Sequence, residues 1–262
     1  MTKLGEADTS LLWSMFYRDG LGVRKDKAKA RQYFDSVSVG STVYFGRNYE
    51  ECKMLKCRVL EKKDGMALLM AQQYYQFPST YDRLITPNGA VTSWLNDKSD
   101  PSGFIYRSFN KPEQKRLVET LVTTPDNPYC EKAWKQKDFK AKVFLLSLQE
   151  YLELSGLKGM TPKEGEWTLM IKHVMTDYLV GGYRSETVLP REFPFLYLGE
   201  FPDRSACDKD QIALYTRTPG EKKGELCYFV NNMIFTRGSN YGVIPYLYAK
   251  IMYQPVFWVK LY

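Results

Sequence analysis

The sequence predicts an α+β protein in which two short helices precede a body of antiparallel strands. Three observations support this fold class. Apolar residues recur at helical spacing over residues 6–36, the pattern changes to alternation from Ser41, and residues 211–262 form a series of short apolar segments separated by turn residues. We therefore expect a helical hairpin over residues 1–40 and a strand-rich domain over residues 41–262 that ends in a β-meander.

Length, charge and cysteine content narrow the class of protein. A chain of 262 residues can form one large domain with a small appendage. Its 37 Lys and Arg residues exceed its 30 Asp and Glu residues only modestly, which favours a solvated surface over an anionic partner. Five cysteines without a Cys-x-x-Cys pair, and no apolar leader, predict reduced thiols and a cytoplasmic location. No apolar run approaches ~18 residues, so we expect no membrane segment.

The first 40 residues predict two helices. Ala7 to Tyr17 has helical periodicity that ends at Gly20, and Asp26 is placed to cap a second helix that Gly40 closes. This pattern resembles one Sel-like repeat, a tetratricopeptide-related unit of about 34 residues. The resemblance rests on Met15-Phe16-Tyr17, Gly20-Leu21-Gly22-Val23, Asp26, Ala30, Tyr33-Phe34 and Gly40. Because one repeat cannot bury its own apolar face, it should pack on the following domain or end an array.

The middle of the chain predicts strands and short helices. Lys62-Lys63-Asp64-Gly65 is placed as the turn of a hairpin, with Gly65 at a position that needs positive φ. Ser147 is placed as the cap of a helix, with Glu150 as its reciprocal partner. Asn110 followed by Pro112 indicates the start of another helix. The predicted strands are Thr42–Gly46, Leu55–Leu60, Met66–Ala71 and Lys142–Leu146, and the predicted helices are Val91–Asn96, Lys111–Thr120 and Leu148–Leu154.

The C-terminal third predicts an antiparallel meander. Asn tolerates positive φ, so Asn231-Asn232 reads as a hairpin turn between two apolar segments. The predicted strands are Ile212–Thr216, Leu226–Val230, Met233–Thr236 and Val243–Tyr248.

Residues 39–262 resemble a widespread bacterial domain family of unknown function. The resemblance rests on Val43-Tyr44-Phe45-Gly46, Arg58 to Leu69, Ser93-Trp94-Leu95-Asn96, Phe109 to Glu113, Lys142 to Ser147, Leu214 to Gly220 and Gly242-Val243-Ile244-Pro245. That family looks related to C-type-lectin-like folds, which include formylglycine-generating-type enzymes and retroelement variable proteins. The resemblance therefore implies a C-type-lectin-like domain. Ile244 replaces the Arg of the family's closing pattern, and residues 156–210 fit the pattern poorly.

The residues that could support catalysis or metal binding do not form a complete set. Trp94-Leu95-Asn96-Asp97 has one residue more than a calcium-binding Trp-Asn-Asp run, so we expect Trp94 in the core and Asn96 at a helix end. His173 is the only histidine and cannot form a zinc site alone. We expect no metal and no cofactor.

Recognition is the function that the sequence favours. Tyr, Arg and Asn side chains near turns combine rigid contact area with adaptable hydrogen bonding. The candidate ligand-binding residues are Tyr215, Arg217, Asn231, Asn232, Arg237, Asn240 and Tyr241. The leading hypothesis is a non-catalytic module that binds a protein or other macromolecule, with no particular oligomeric state predicted.

Two alternatives stay open. One is an enzyme of the formylglycine-generating-like group, with a thiol-based or Tyr/Arg-based site in residues 156–210. The other is weak binding of single-stranded nucleic acid, because five lysines surround two aromatic residues. That cluster comprises Lys132, Lys135, Lys137, Lys140 and Lys142 around Trp134 and Phe139.

Overall fold

The computed structural model of the protein describes residues 7–75, 89–124, 126–127, 133–154, 212–220, 226–230, 233–235 and 250–261. Within these ranges the helices are α1 (Ser10–Asp19), α2 (Lys27–Ser36), α3 (Ala90–Asn96), α4 (Phe104–Ser108), α5 (Lys111–Gln114) and α6 (Leu148–Leu154). The strands are β1 (Thr42–Asn48), β2 (Lys53–Lys63), β3 (Met66–Ala71), β4 (Leu117–Val118), β5 (Thr120–Val122), β6 (Phe139–Ala141), β7 (Val143–Phe144), β8 (Ile212–Pro219), β9 (Leu226–Val230), β10 (Met233–Phe235), β11 (Lys250–Met252) and β12 (Val256–Lys260). Helices combined with mainly antiparallel strands confirm the predicted α+β class.

The last strand, β12, lies in the interior of the main sheet. The strand order is β1-β2-β3-β12-β4, with β7 also paired to β12, and every pair is antiparallel. One edge of β12 pairs with β3, while β4 and β7 share its other edge. Val256, Phe257 and Val259 are fully buried. The C-terminal residues therefore complete a sheet that residues 42–71 begin.

The β2–β3 hairpin confirms the predicted turn at Asp64-Gly65, while Lys62 and Lys63, predicted in the turn, belong to β2. Asp64 and Gly65 both have positive φ, 49° and 71°, as a two-residue type I′ turn requires. Pairing from Lys63 and Met66 at the turn continues toward Cys57 and Ala71, with one bulge near Val59. The strand predictions for β1, β2 and β3 are confirmed.

Gly46 allows an aromatic ring to approach the backbone of β1. Its φ is 82°, and a Cβ atom there would lie 2.6 Å from Cε1 of Phe109 and 2.8 Å from the carbonyl oxygen of Ser108. Phe109 in turn packs against Phe45 and Phe257, with ring centroids 5.5 and 5.1 Å apart. A side chain at position 46 would displace a ring at the centre of the core.

The helix predicted over Lys111–Thr120 is wrong beyond its first turn. The capping box forms as expected, because Asn110 Oδ1 accepts from Glu113 N and Glu113 Oε2 accepts from Asn110 N, each at 2.9 Å. Helix α5 nevertheless ends at Gln114, and the chain continues as β4 and β5. Val118 pairs with Trp258. Strand pairing with β12 therefore outweighs the helical preference of the local sequence.

The C-terminal strands form a meander only in part. A second sheet has the order β10-β9-β8-β11, in which β8, β9 and β10 are antiparallel neighbours and β11 runs parallel to β8. The last strand, β12, belongs to the main sheet instead. Four consecutive buried residues in β12, Val256–Val259, suit a strand covered on both faces. The predicted strand Val243–Tyr248 lies outside the described residues.

The helical hairpin packs on the main sheet, as one of the two predicted arrangements requires. Leu11 and Met15 of α1, and Phe34 of α2, are buried in the common core. Asp26 Oδ1 caps α2 by accepting from Lys29 N at 3.0 Å, which confirms its predicted role. Asp19 at the end of α1 forms an ion pair with the buried Arg116.

Lys62 of β2 caps the C-terminal end of α2. Its Nζ donates to the carbonyl oxygens of Phe34 at 2.8 Å, Asp35 at 3.2 Å and Val37 at 2.5 Å. The ammonium also lies 4.6 Å from the centroid of the Phe34 ring. A cation at this end of a helix satisfies carbonyls that have no partner within the helix and complements the helix dipole.

We expect Lys62→Met to lower the free energy of unfolding by about 1.5 kcal/mol, because three carbonyls lose charge-assisted hydrogen bonds. Urea denaturation followed by circular dichroism measures this change. Lys53→Met, at an exposed position at the start of the same strand, is the control and should change stability by less than about 0.5 kcal/mol. Equal effects of the two substitutions would contradict the docking role of Lys62.

None of the helices in the described ranges combines the length and apolar character needed to cross a membrane.

Candidate functional site

A groove of about 570 Å³ lies between the outer face of the main sheet and helix α6. One side is formed by β2, β3 and β12, and the other by β5, the segment after β7, and α6. Its lining residues are Leu60, Glu61, Lys63, Leu68, Thr120, Leu121, Val122, Thr123, Phe144, Leu146, Glu150, Glu153, Leu154, Arg217 and Trp258. This volume is in the range of pockets that hold a small molecule or a few side chains.

The floor of the groove is apolar, and two leucines on its sides are exposed. Phe144, Leu146 and Trp258 are buried beneath it. Leu121 on β5 is 57% exposed and Leu154 at the end of α6 is 39% exposed. Scattered exposed leucines are ordinary, but two that line one concave surface form a candidate contact site.

Arg217 of β8 lies at the inner wall of the groove and is 3% exposed. Its Nε and Nη2 donate to the carbonyl oxygen of Thr123 at 3.3 and 3.0 Å, and Nη1 donates to that of Leu145 at 2.7 Å. Nη2 donates to Oε1 of Glu150 at 2.7 Å, and Nη1 donates to Oε2 of the same carboxylate. These five bonds equal the five N–H donors of a guanidinium, so Arg217 joins three segments of the fold.

Glu150 is held in place by the cap of α6. Its Oε2 accepts from Ser147 N at 2.8 Å, and Glu150 N donates to Ser147 Oγ at 3.2 Å, which confirms the predicted reciprocal cap. Thr218 Oγ1 accepts from Leu148 N at 2.7 Å, so β8 satisfies a further N–H of the first turn. In the same helix, burial raises the pKa of Tyr151, whose hydroxyl donates to Gln254 Oε1 at 2.9 Å.

Carboxylates outnumber cations among the charged residues of the groove. Lys63 Nζ lies 3.2 Å from Glu61 Oε1 and 4.5 Å from the centroid of the Trp258 ring. Arg217 and Glu150 form a second ion pair of the groove, beside that of Lys63 and Glu61. Glu153 has no cationic partner among the described residues, and its Oε1 accepts from Gln149 Nε2 at 3.3 Å. The rim is therefore slightly acidic.

The structure places two of the seven predicted ligand residues in the interior. Tyr215 is buried, with its ring centroid 5.9 Å from that of Tyr253. Arg217 is committed to the bonds above, so neither side chain is available on an exposed face. The remaining candidates, Asn231, Asn232, Arg237, Asn240 and Tyr241, lie outside the described residues.

Sequence reasoning missed the leucines of the groove. Leu121 falls just after a segment predicted as helix, and Leu154 at the end of a correctly predicted helix. The one local signal was apolar residues at the ends of short elements. That signal does not show that β5 and α6 line the same groove as Trp258 of β12.

The described residues contain no group of three or more His, Cys, Asp or Glu side chains that could hold a metal ion. Trp94 is in the core and Asn96 ends α3, as predicted. Asn96 Oδ1 accepts from the backbone nitrogens of Lys142 and Val143, each at 2.9 Å. The Asn96 side chain therefore has a structural role, because it links the end of α3 to the start of β7. His173 lies outside the described residues.

The structure describes some of the residues on which the two alternative functions depend, the thiol-based enzyme and the binding of single-stranded nucleic acid. Cys57 is buried and Cys52 is exposed, while the side chains of Cys130, Cys207 and Cys227 lie outside the described residues. In the predicted lysine cluster Phe139 is buried and unavailable for stacking on a base. Lys135, Lys137 and Lys140 are exposed, and Lys132 lies outside the described residues.

Comparison with known proteins identifies one domain. A family described as a domain of unknown function (DUF6273) matches residues 68–181. No curated protein and no solved structure matches the chain. The prediction that the chain contains a domain of unknown function is therefore confirmed at that level. The matched span runs from β3 past α6 and includes Leu121 and Leu154 of the groove.

We expect Arg217→Ala to lower the free energy of unfolding by about 3 kcal/mol, because it leaves buried carbonyls and the Glu150 carboxylate without their donors. Arg217→Lys should recover only part of this loss, since an ammonium cannot reproduce the planar set of donors. Chemical denaturation tests both variants. Arg31→Ala, which removes an exposed arginine of α2, is the matched control. A control-like response of Arg217→Ala would contradict the structural role.

We expect the thiol of Cys57 to resist alkylation at neutral pH in the folded protein, because burial raises its pKa and blocks access. Mass spectrometry after brief iodoacetamide treatment measures the modification at each cysteine. Cys52, which is exposed, serves as the internal reference. Modification of Cys57 as fast as that of Cys52 would contradict its burial.

Proposed function

We propose that the protein is a non-catalytic interaction module and that the groove beside α6 binds an extended segment of a partner protein. The observation that carries this proposal is the pair of exposed leucines, Leu121 and Leu154, over an apolar floor. Burying an apolar side chain between them would remove both from water, at roughly 25 cal/mol per Å² of apolar area. The class of function is the one predicted from the sequence, but the surface is different.

The dimensions of the groove favour a segment over a folded surface. A volume of about 570 Å³ accommodates a few side chains. Among the described strands, the neighbouring β5 pairs only with β6, in a two-stranded sheet. An extended peptide that lies along β5 would place alternate side chains toward the groove.

The charges of the groove indicate the composition of the segment. Glu153 adds a carboxylate to two balanced ion pairs of the groove, Glu61 with Lys63 and Glu150 with Arg217. A basic residue that flanks the apolar anchor complements this rim and speeds association more than it raises affinity. The proposed partner segment therefore combines a large apolar side chain with one or two Lys or Arg residues.

The two family resemblances complete the proposal. We propose that α1 and α2 form a Sel-like repeat, which the Asp26 cap and the paired ten-residue helices support. The remaining domain is proposed as a divergent C-type-lectin-like fold. The return of β12 to the sheet that β1 begins supports this assignment, because it joins the two ends of the domain.

Peptide display tests the groove. We expect selection from a random peptide library to yield sequences with an apolar anchor and a basic neighbour. Leu121→Asp should weaken their binding at least tenfold, since a carboxylate on the groove wall opposes burial of the anchor. The control is Leu21→Asp, which changes a leucine of similar exposure in the turn after α1. Calorimetry with a selected peptide measures both effects.

Two results would contradict the proposal. One is a set of selected peptides that binds wild type and Leu121→Asp with the same affinity. The other is equal weakening by Leu121→Asp and Leu21→Asp, which would point to a general effect of added charge.

A further inference from the structure

The outer face of the helical hairpin carries a group of three stacked aromatic side chains. The rings of Tyr17 and Tyr33 are 5.5 Å apart with an interplanar angle of 10°, and Trp13 stacks on Tyr33 at 6.2 Å and 27°. Trp13 is 39% exposed, while the two tyrosines are partly exposed. The buried side of the same hairpin uses other residues, among them Leu11 and Phe34, so the docking of the hairpin does not require this exposed group.

The tip of the same hairpin is strongly basic. Residues 24–31 contain five cations and one carboxylate, and all five cations are exposed. The cations are Arg24, Lys25, Lys27, Lys29 and Arg31. Three nearby carboxylates are already committed: Asp19 to Arg116, Asp26 to the cap of α2, and Asp35 to Arg31. Arg31 is thus partly neutralised, and the other four cations remain to attract an anion.

The fold brings the aromatic and basic parts together. Asp26 N donates to the carbonyl oxygen of Tyr17 at 2.8 Å, which folds the start of α2 back onto the end of α1. Lys29 Nζ lies 5.1 Å from the centroid of the Tyr17 ring. One helical turn later on α2, Tyr33 stacks on the same ring. A continuous surface therefore runs from Trp13 through the tyrosines to the lysines of the tip.

We propose that this hairpin face binds single-stranded nucleic acid, with the lysines of the tip on its phosphates and Trp13 against a base. Aromatic side chains beside a cationic track are the combination that holds single strands without sequence preference. An acidic peptide would satisfy the cations, but it has no aromatic ring in each residue to stack on the aromatic surface. A nucleotide therefore accounts for both halves of the surface, through its phosphate and its base.

This surface is separate from the groove and from the lysine cluster predicted near Trp134. It does not depend on the proposed function, because no residue of α1 or α2 lines the groove. It also differs from the cluster at residues 132–142 in that its aromatic residues are stacked and partly exposed, whereas Phe139 is buried. The contact expected here is general rather than sequence-specific, since stacking does not read base edges.

Fluorescence anisotropy with a labelled oligothymidylate of about 12 nucleotides tests the proposal on the full chain. We expect Trp13→Ala to weaken binding about tenfold and Trp13→Phe to retain most of it. The triple variant Lys25→Gln, Lys27→Gln and Lys29→Gln should lower the slope of log affinity against log salt concentration by about 2. Lys135→Gln, Lys137→Gln and Lys140→Gln, combined in one chain, form the matched control and should leave that slope unchanged.

Three outcomes would overturn the proposal. Polyglutamate of equal charge could bind as tightly as oligothymidylate, with no effect of Trp13→Ala, which would show an acidic-peptide surface. The control triple variant could reduce the salt slope as much as the hairpin triple variant, which would place the contact near Trp134. Oligothymidylate could fail to bind at low salt. Thermal unfolding of every variant shows whether a loss of binding reflects a loss of fold.

Discussion

The guanidinium of Arg217 joins parts of the chain that lie far apart in sequence. It binds the carbonyls of Thr123 and Leu145 and the carboxylate of Glu150, and its own backbone nitrogen donates to Leu146 at 3.0 Å. The second sheet, the end of β5 and the start of α6 therefore depend on one side chain. Arg217 also holds Thr123 and Glu150, which line the groove with it. Arg217 shapes the candidate site without offering a free donor to a ligand.

A second cation, Lys62, performs a similar task between the helical hairpin and β2. Its three donors satisfy the carbonyls at the end of α2, which ties the hairpin to β2. Burial lowers the pKa of Lys62, and the carbonyl dipoles nevertheless offer the ammonium partners in place of water. The hairpin and the domain thus share a core, in which Met15 and Phe34 pack with the residues of the sheet.

The two surfaces that we propose as partner sites differ in chemical character. The groove beside α6 has an apolar floor and a slightly acidic rim, while the hairpin face is aromatic and basic. The acidic rim would favour a basic partner and the basic hairpin face an acidic one. This difference suits a module that binds two different partners. The modest net charge of +7 conceals this division, because it averages a basic tip with an acidic rim.

Local patterns in the sequence determined most of the elements of this protein. Asp64-Gly65, the Asp26 cap and the Ser147 to Glu150 box each act within a few residues, so they form in the fold as they read in the chain. The tertiary structure decided the place of β12, the change from helix to strand at Leu117, and the burial of Arg217. Each of these depends on a partner more than 70 residues away, such as Trp258 for Val118 and Leu145 for Arg217. Local periodicity shows which residues will be buried, whereas contacts between distant parts of the chain determine which residues they pack against.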